Sequence, residues 1–435
     1  MAENTMNSLR NAVIYSIYIR NHTEEGTFLS VIPDLQRIKD LGTDIIWLMP
    51  IHPIGVKGKK GSLGCPYANR DYRSVNPEYG TMEDFRQLVD EIHRLDMKCI
   101  IDVVYNHTSP DSVLSQLHPE FFYRKADGSM GNHVGDWTDV VDLDYTCRAL
   151  WDYQIESLVM WANIVDGFRC DVASFLPVEF WCEARKAVEQ VNPDCIWLAE
   201  TVHSGFGRKS RQMGLYSAND YDMFRAFDME YDYDVREVFD RYLIGKAGLS
   251  NYMDVINFQE CAYPANYNKM RCLENHDQPR IASFVKDRKA LYNFNAFLYF
   301  LKGSTLLYAG QEYQCDHIPS LFEKDVFTRD HKKCISNELG KLSGLKNTVL
   351  SCEDSFAGYA DDDLDIAVME RSDGITQKLG IFSLKGKCGD VTVSWPDGAY
   401  CNLLDDSTVL IKDSILYCDG NPIWLSMVQT NENTL

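Results

Sequence analysis

Lys98-Cys99-Ile100-Ile101-Asp102-Val103-Val104-Tyr105-Asn106-His107 is an apolar run of strand length that stops abruptly in polar, ionisable residues. Three other segments have the same shape. They are Gly167-Phe168-Arg169-Cys170-Asp171, Trp197-Leu198-Ala199-Glu200, and Glu274-Asn275-His276-Asp277 behind the run 269–273. Apolar runs without alternation read as strands buried on both faces, as in a parallel sheet. In a parallel barrel the functional residues gather at the C-terminal ends of the strands. Asp171, Glu200 and Asp277 would then meet over one pocket, together with Arg169, His107 and His276. Two carboxyl groups flanking a glycosidic bond are what glycoside hydrolysis needs.

Outward from these segments, strand and helix patterns alternate over roughly the first 340 residues, which favours a parallel α/β architecture. The spacing predicts strands at 13–19, 44–49, 98–104, 166–170, 194–199, 269–273 and 305–308, with the sixth within 222–229. An amphipathic helix is expected at 30–41. Thr81-Met82-Glu83-Asp84 reads as a capping box opening a helix to about residue 96. The rhythm breaks between His107 and about residue 143, where Pro, Gly, His and aromatics dominate. That interval reads as an insertion on the catalytic face. Beyond about Gly344, short β-like runs separated by Gly, Asp and Lys turns predict an antiparallel β domain. The expected organisation is a catalytic unit at 1–345 with an inserted subdomain at about 107–145, and a β domain at 346–435. Asp361-Asp362-Asp363 reads as a solvated turn, and the polar tail 429–435 is expected to fray.

With 45% apolar and 25% charged residues the chain is globular, and 435 residues suggest a large domain plus a smaller one. A net charge of −21 argues against nucleic acid or an anionic membrane as a partner. No stretch is long enough to span a membrane. The 14 cysteines include no Cys-x-x-Cys pair, and Cys99, Cys170, Cys195 and Cys272 fall inside expected strands. Free thiols in a reducing cytoplasm are therefore expected. The apolar run at 12–19 lacks a small-residue cleavage site and reads as a first strand rather than a signal peptide.

The four ordered segments, with Tyr67-Ala68-Asn69-Arg70-Asp71-Tyr72 and Tyr308-Ala309-Gly310-Gln311-Glu312, resemble the alpha-amylase family, retaining glycoside hydrolase family 13. The resemblance covers most of residues 10–345. It implies a (β/α)8 TIM barrel with an inserted subdomain after the third strand and a C-terminal antiparallel β-sandwich domain. It implies Asp171 as nucleophile, Glu200 as general acid/base, and Asp277 as the acid that holds sugar hydroxyls in the transition state. Arg169 shares a strand face with Asp171 and is expected to keep it ionised. His107 and His276 match residues that bind hydroxyls of the sugar being cleaved, and Tyr67 the platform beneath it. Asp102 and Asn106 match residues that brace the pocket. The chemistry requires no cofactor. Asn106 and Asp142 match two ligands of a structural calcium, to which a carbonyl of Phe175 could add.

Some positions depart from the family pattern. Val172 follows the nucleophile, as in relatives that cut α-1,6 bonds. Ala68 stands where exo-acting relatives of that group carry an Asp, and their Gln-Pro-Asp-Leu-Asn segment reads Val140-Val141-Asp142-Leu143-Asp144. Ser174-Phe175 replaces a Lys-His pair common in amylases. The reading is a cytoplasmic α-glucan hydrolase of maltodextrins or starch fragments that prefers α-1,4 links. The alternatives are an α-1,6-glucosidase, a glucanotransferase, or, from another class, a non-catalytic sugar-binding or partner-binding barrel. Trp137, in the insertion, is a candidate to stack on a sugar ring, whereas Trp47, Trp161 and Trp197 read as core.

Overall fold

The computed structural model describes residues 5–429; within the expected tail, residues 430–435 lie outside them. Eight parallel strands close into a barrel: β1 (Val13–Ile17), β2 (Ile45–Leu48), β3 (Lys98–Val103), β4 (Gly167–Cys170), β5 (Ile196–Ala199), β6 (Met229–Tyr231), β7 (Lys269–Arg271) and β8 (Ser304–Tyr308). Each strand pairs with its neighbours in sequence, and β8 returns to β1 through Val13↔Thr305. Every residue of β1, β2, β4 and β5 is buried, as expected for strands covered on both faces. Gly167 allows a close approach of β4 to β5: a Cβ there would lie 2.2 Å from the Ile196 carbonyl.

The helices pack outside. Met82–Arg94 starts at Thr81, and the reciprocal Thr81–Asp84 bonds of the capping box are both formed. The expected helix at 30–41 is instead two short helices, Phe28–Val31 and Leu35–Asp40, joined by a 3-10 turn containing Pro33. Proline lacks the N–H that a continuous helix would use there.

The sixth strand corrects the sequence reading, meeting the expected interval only at Met229. Residues Asp220–Met223 form a helical turn instead. The cause is charge. β6 and β7 carry Glu230 and Lys269 into the barrel interior, where they pair at 3.2 Å with both side chains fully buried. Such a strand has no apolar run to recognise.

The helix Ser336–Val349 runs across residue 345 and packs on the barrel, its Ser343 Oγ donating to the Gly42 carbonyl. The first strand of the C-terminal unit starts at Ser355. That unit is two four-stranded antiparallel sheets around a core that includes Ile366, Val368, Ile381, Trp395 and Leu416. Asp362 of the acidic turn accepts bonds from the Ser250 amide and hydroxyl, capping the helix Leu249–Ala262 of the barrel. The fourteen cysteines are free thiols. Among the described residues no helix is long and apolar enough to cross a membrane.

Candidate active site

The site is organised around one guanidinium. Asp102 on β3 and Arg169 on β4 are register partners, so both side chains point into the barrel from one level. Each is fully buried. The ladder continues one step past the strand ends: the Asp171 amide donates to the Val103 carbonyl and the Glu200 amide to the Cys170 carbonyl. This places both acids at the rim above Arg169. Arg169 Nη1 donates to Asp102 Oδ1 at 2.9 Å and to Asp171 Oδ1 at 2.8 Å, while Nη2 is ion-paired with Glu200 Oε2 at 2.9 Å. Its Nε donates to the Tyr231 hydroxyl at 3.1 Å. The rings of Trp47, Tyr231 and Tyr67 surround the guanidinium carbon at 5.1, 5.3 and 5.7 Å, geometry that favours a desolvated cation.

One cation shared by three buried carboxylates cannot hold all of them low. Burial lifts Asp171 to about 6 and Asp102 to about 6 against the pull of Arg169. Burial lifts Glu200 further, to about 7, with Asp171 adding repulsion. Arg169 is expected to keep Asp171 ionised; burial outweighs its pull and raises the carboxyl, and the guanidinium is also shared with Asp102 and Glu200. Asp277 is different. Desolvation in the crowded cleft would raise it, but its side chain is 44% exposed and the adjacent His276, 3.1 Å away, holds it below the usual carboxylate range. His276 is raised in turn: burial opposes its charge, and Asp277 outweighs burial.

Tyr67 stacks on His276 with ring centroids 5.3 Å apart. Its hydroxyl donates to Asp102 Oδ2 at 2.9 Å and lies 2.7 Å from His276 Nε2. His107, lowered by burial, stands 4.0 Å from Asp171 Oδ2 and carries the ring of Trp137 at 5.2 Å. These groups enclose a cavity of about 430 Å³ lined by Tyr67, His107, Trp137, Asp171, Glu200 and Asp277, among others. Val172 also lines it. Its backbone is left-handed (φ +36°), and its amide donates to Glu200 Oε2 at 2.8 Å. A β-branched residue there is strained, and the turn aims that amide at the carboxylate. Trp47, Trp161 and Trp197 are core.

Asn106 and Asp142 line a neighbouring cavity with Phe175. Oδ2 of Asp142 accepts from the His133 amide and contacts its Nδ1, both at 2.7 Å, and Asn106 Nδ2 faces His107 Nδ1 at 3.2 Å. Calcium takes six to eight oxygens. His133 engages only Oδ2; Asp142 Oδ1 is buried without a hydrogen-bond partner and, with the Asn106 side chain, is what this cavity would offer such an ion. Among the described residues no group of three or more His, Cys, Asp or Glu converges as a cation site.

Several lining residues escaped the sequence reading. Tyr233, which lines the cavity, and Tyr231, which lies beneath it and accepts from Arg169, were hidden by the misplaced sixth strand. Lys60, Asp139 and Phe322 reach the cavity from loops whose folding no periodicity reveals. The polar character of the 107–145 insertion was the only signal for Asp139.

A parallel barrel with paired carboxyl groups over a pocket at its C-terminal rim is the architecture of a glycoside hydrolase. Residues 7–120 and 133–372 match the family model for the alpha amylase catalytic domain, and 358–425 that for the bacterial alpha amylase C-terminal domain. The chain belongs to the alpha-amylase family. It is similar to a crystal structure of an alpha-amylase from Lactobacillus plantarum, with a TM-score of 0.93 and 43% identity, covering 97% of this chain and 100% of that one. A noncanonic maltogenic alpha-amylase, AmyB, from Thermotoga neapolitana aligns with a TM-score of 0.86 and 33% identity, over 98% and 100% of the two chains. The curated alpha-amylase MalA of Haloarcula japonica is 26% identical over 70% of this chain and 44% of its own length. The chain spans less than half the length of that relative.

Proposed function

We propose that this glycosidase cleaves α-1,4-glucosidic bonds of maltodextrins and starch fragments by double displacement. The observation that carries the reading is the pair Asp171 and Glu200, held at 2.8 and 2.9 Å by one guanidinium at the floor of an oligosaccharide-sized pocket. Asp171 attacks the anomeric carbon while Glu200 donates its proton to the departing oxygen. Glu200, now a base, then takes a proton from the water that breaks the glycosyl–Asp171 bond. Asp277 and His276 bind hydroxyls of the sugar as its ring flattens. Tyr67 gives that sugar an apolar face, and Asp102 anchors Arg169 and Tyr67. Trp137 stacks on a ring further along the chain. The family relationship and the maltogenic relative support an α-glucan substrate. The free thiols favour a reducing, cytoplasmic setting.

Two measurements test this. The first product seen by NMR from an α-linked substrate should be the α-anomer, since two displacements restore the configuration; an early β-anomer would remove the mechanism. The kcat/KM profile against pH should be a bell with its maximum between about 6 and about 7, the values at which Asp171 and Glu200 titrate. Below that window Asp171 is protonated and cannot attack. Above it Glu200 is ionised and cannot donate. A profile flat from about pH 5 to about 8 would contradict the assignment.

Val172 beside the nucleophile favours a second reading, α-1,6 cleavage or transfer with the same acids. Relative kcat/KM for maltotetraose, isomaltose and panose separates them, and preference for isomaltose would replace the α-1,4 reading.

A further inference from the structure

If Glu200 protonates the departing oxygen, as proposed above, the leaving part of the substrate lies toward β5 and the residues after it. The retained part then lies across the barrel. In a closed ring of eight strands β1 is opposite β5, and β2 and β8 flank β1. The loops after β2 and β8 therefore bound the retained end.

Those loops are stitched together. Lys60, after β2, places Nζ 3.1 Å from Asp139 Oδ1 and donates to the Asp136 carbonyl at 3.2 Å, both in the insertion. The Val56 and Lys57 amides donate to Asp111 at the start of the insertion. On the other side, the Leu63 amide donates to the Phe322 carbonyl at 3.0 Å, and the Ser62 amide to Glu323 Oε1 at 2.7 Å. The loops after β2, β3 and β8 thus form one continuous rim, and Lys60, Asp139 and Phe322 face the cavity.

Asp139 is the unusual member. It is 3% exposed, and its Oδ2 has no hydrogen-bond partner. Leaving a buried acceptor unmatched is unfavourable, more so for a charged group. A sugar hydroxyl donating to Oδ2 would remove that cost. No acid stands at Ala68, but the insertion brings one to the pocket from seventy-one positions further along the chain.

We infer that the Lys60–Asp139 pair closes the retained end of the pocket, so that maltodextrins enter by their non-reducing ends and Asp139 accepts a hydrogen bond from a hydroxyl of the terminal glucose. The enzyme then trims short units from chain ends instead of cutting internally.

The test compares two reducing-end-labelled maltoheptaoses, one free and one with the terminal O4 and O6 tied in an acetal. The wild type should favour the free chain by about a hundredfold in kcat/KM and release an unlabelled saccharide of one short length. Lys60 sits on a surface loop, so Lys60→Ala should fold normally and lose about tenfold of that preference, releasing longer products. Asp139→Asn should raise KM more than it lowers kcat on the free chain. Equal cleavage of both chains by the wild type would overturn the closed end and leave the glycosidase reading standing. Cleavage of neither would overturn both. Full discrimination retained by Lys60→Ala would remove the pair as its cause.

Discussion

Asp171→Asn should lower kcat on maltooligosaccharides by about four to six orders of magnitude while the protein stays folded. An amide cannot form the glycosyl ester, and nothing else in the pocket is placed to do so in its stead: Asp102 lies beneath Arg169 and is fully buried, and Asp277 is bound to His276. The fold should survive because the Asn carbonyl can accept the same Arg169 Nη1 bond that Asp171 accepts at 2.8 Å. Stability has a definite sign. Asp171 titrates above its unfolded value, so the folded state prefers it protonated, and its ionisation weakens the fold as pH rises through about 6. Removing the charge should therefore leave Tm unchanged or higher at neutral pH and above. Activity near wild type in a folded, sequence-verified sample would remove the central assignment.

Glu200→Gln should cost about 10³-fold on unactivated maltooligosaccharides, within the range general acid–base catalysis supplies. With an activated leaving group such as fluoride or dinitrophenolate, the first step needs no proton and recovers. The second step still lacks its base, so the covalent intermediate accumulates and a burst appears. Azide needs no base and should speed turnover, yielding a glycosyl azide of retained α configuration. An inverted azide would move the nucleophile's role away from Asp171. Equal losses on activated and natural substrates, with no azide effect, would show that Glu200 is not the acid/base. The Gln carbonyl can still accept the Val172 amide bond, which measures 2.8 Å to Glu200 Oε2, so loss of activity would not come from a disordered turn.

The amino-acid sequence by itself determined the order of the barrel and the identity of its acids. The runs ending at Asp171 and Glu200 are apolar because both faces of these strands are covered, and polarity begins where the strand leaves the core. That rule also brought His107, Arg169 and His276 to one rim, since neighbouring parallel strands end there; Tyr67, in the loop after β2, came from the family resemblance. The rule failed at β6, where an internal Glu230–Lys269 pair replaces the apolar run.

Only the tertiary structure decided what depends on sharing and on loops. One guanidinium divided among Asp102, Asp171 and Glu200 sets their proton affinities jointly, and no single segment contains that information. His133 binds one oxygen of the Asp142 carboxylate that the family resemblance matched to a calcium ligand, because the insertion folds back on itself. Lys60 and Asp139, far apart in the chain and without periodicity, meet because the loops around them are fixed by backbone bonds to other loops. Strand patterns are local, a consequence of burial along one segment; pocket walls are made by segments that meet only after the barrel has closed.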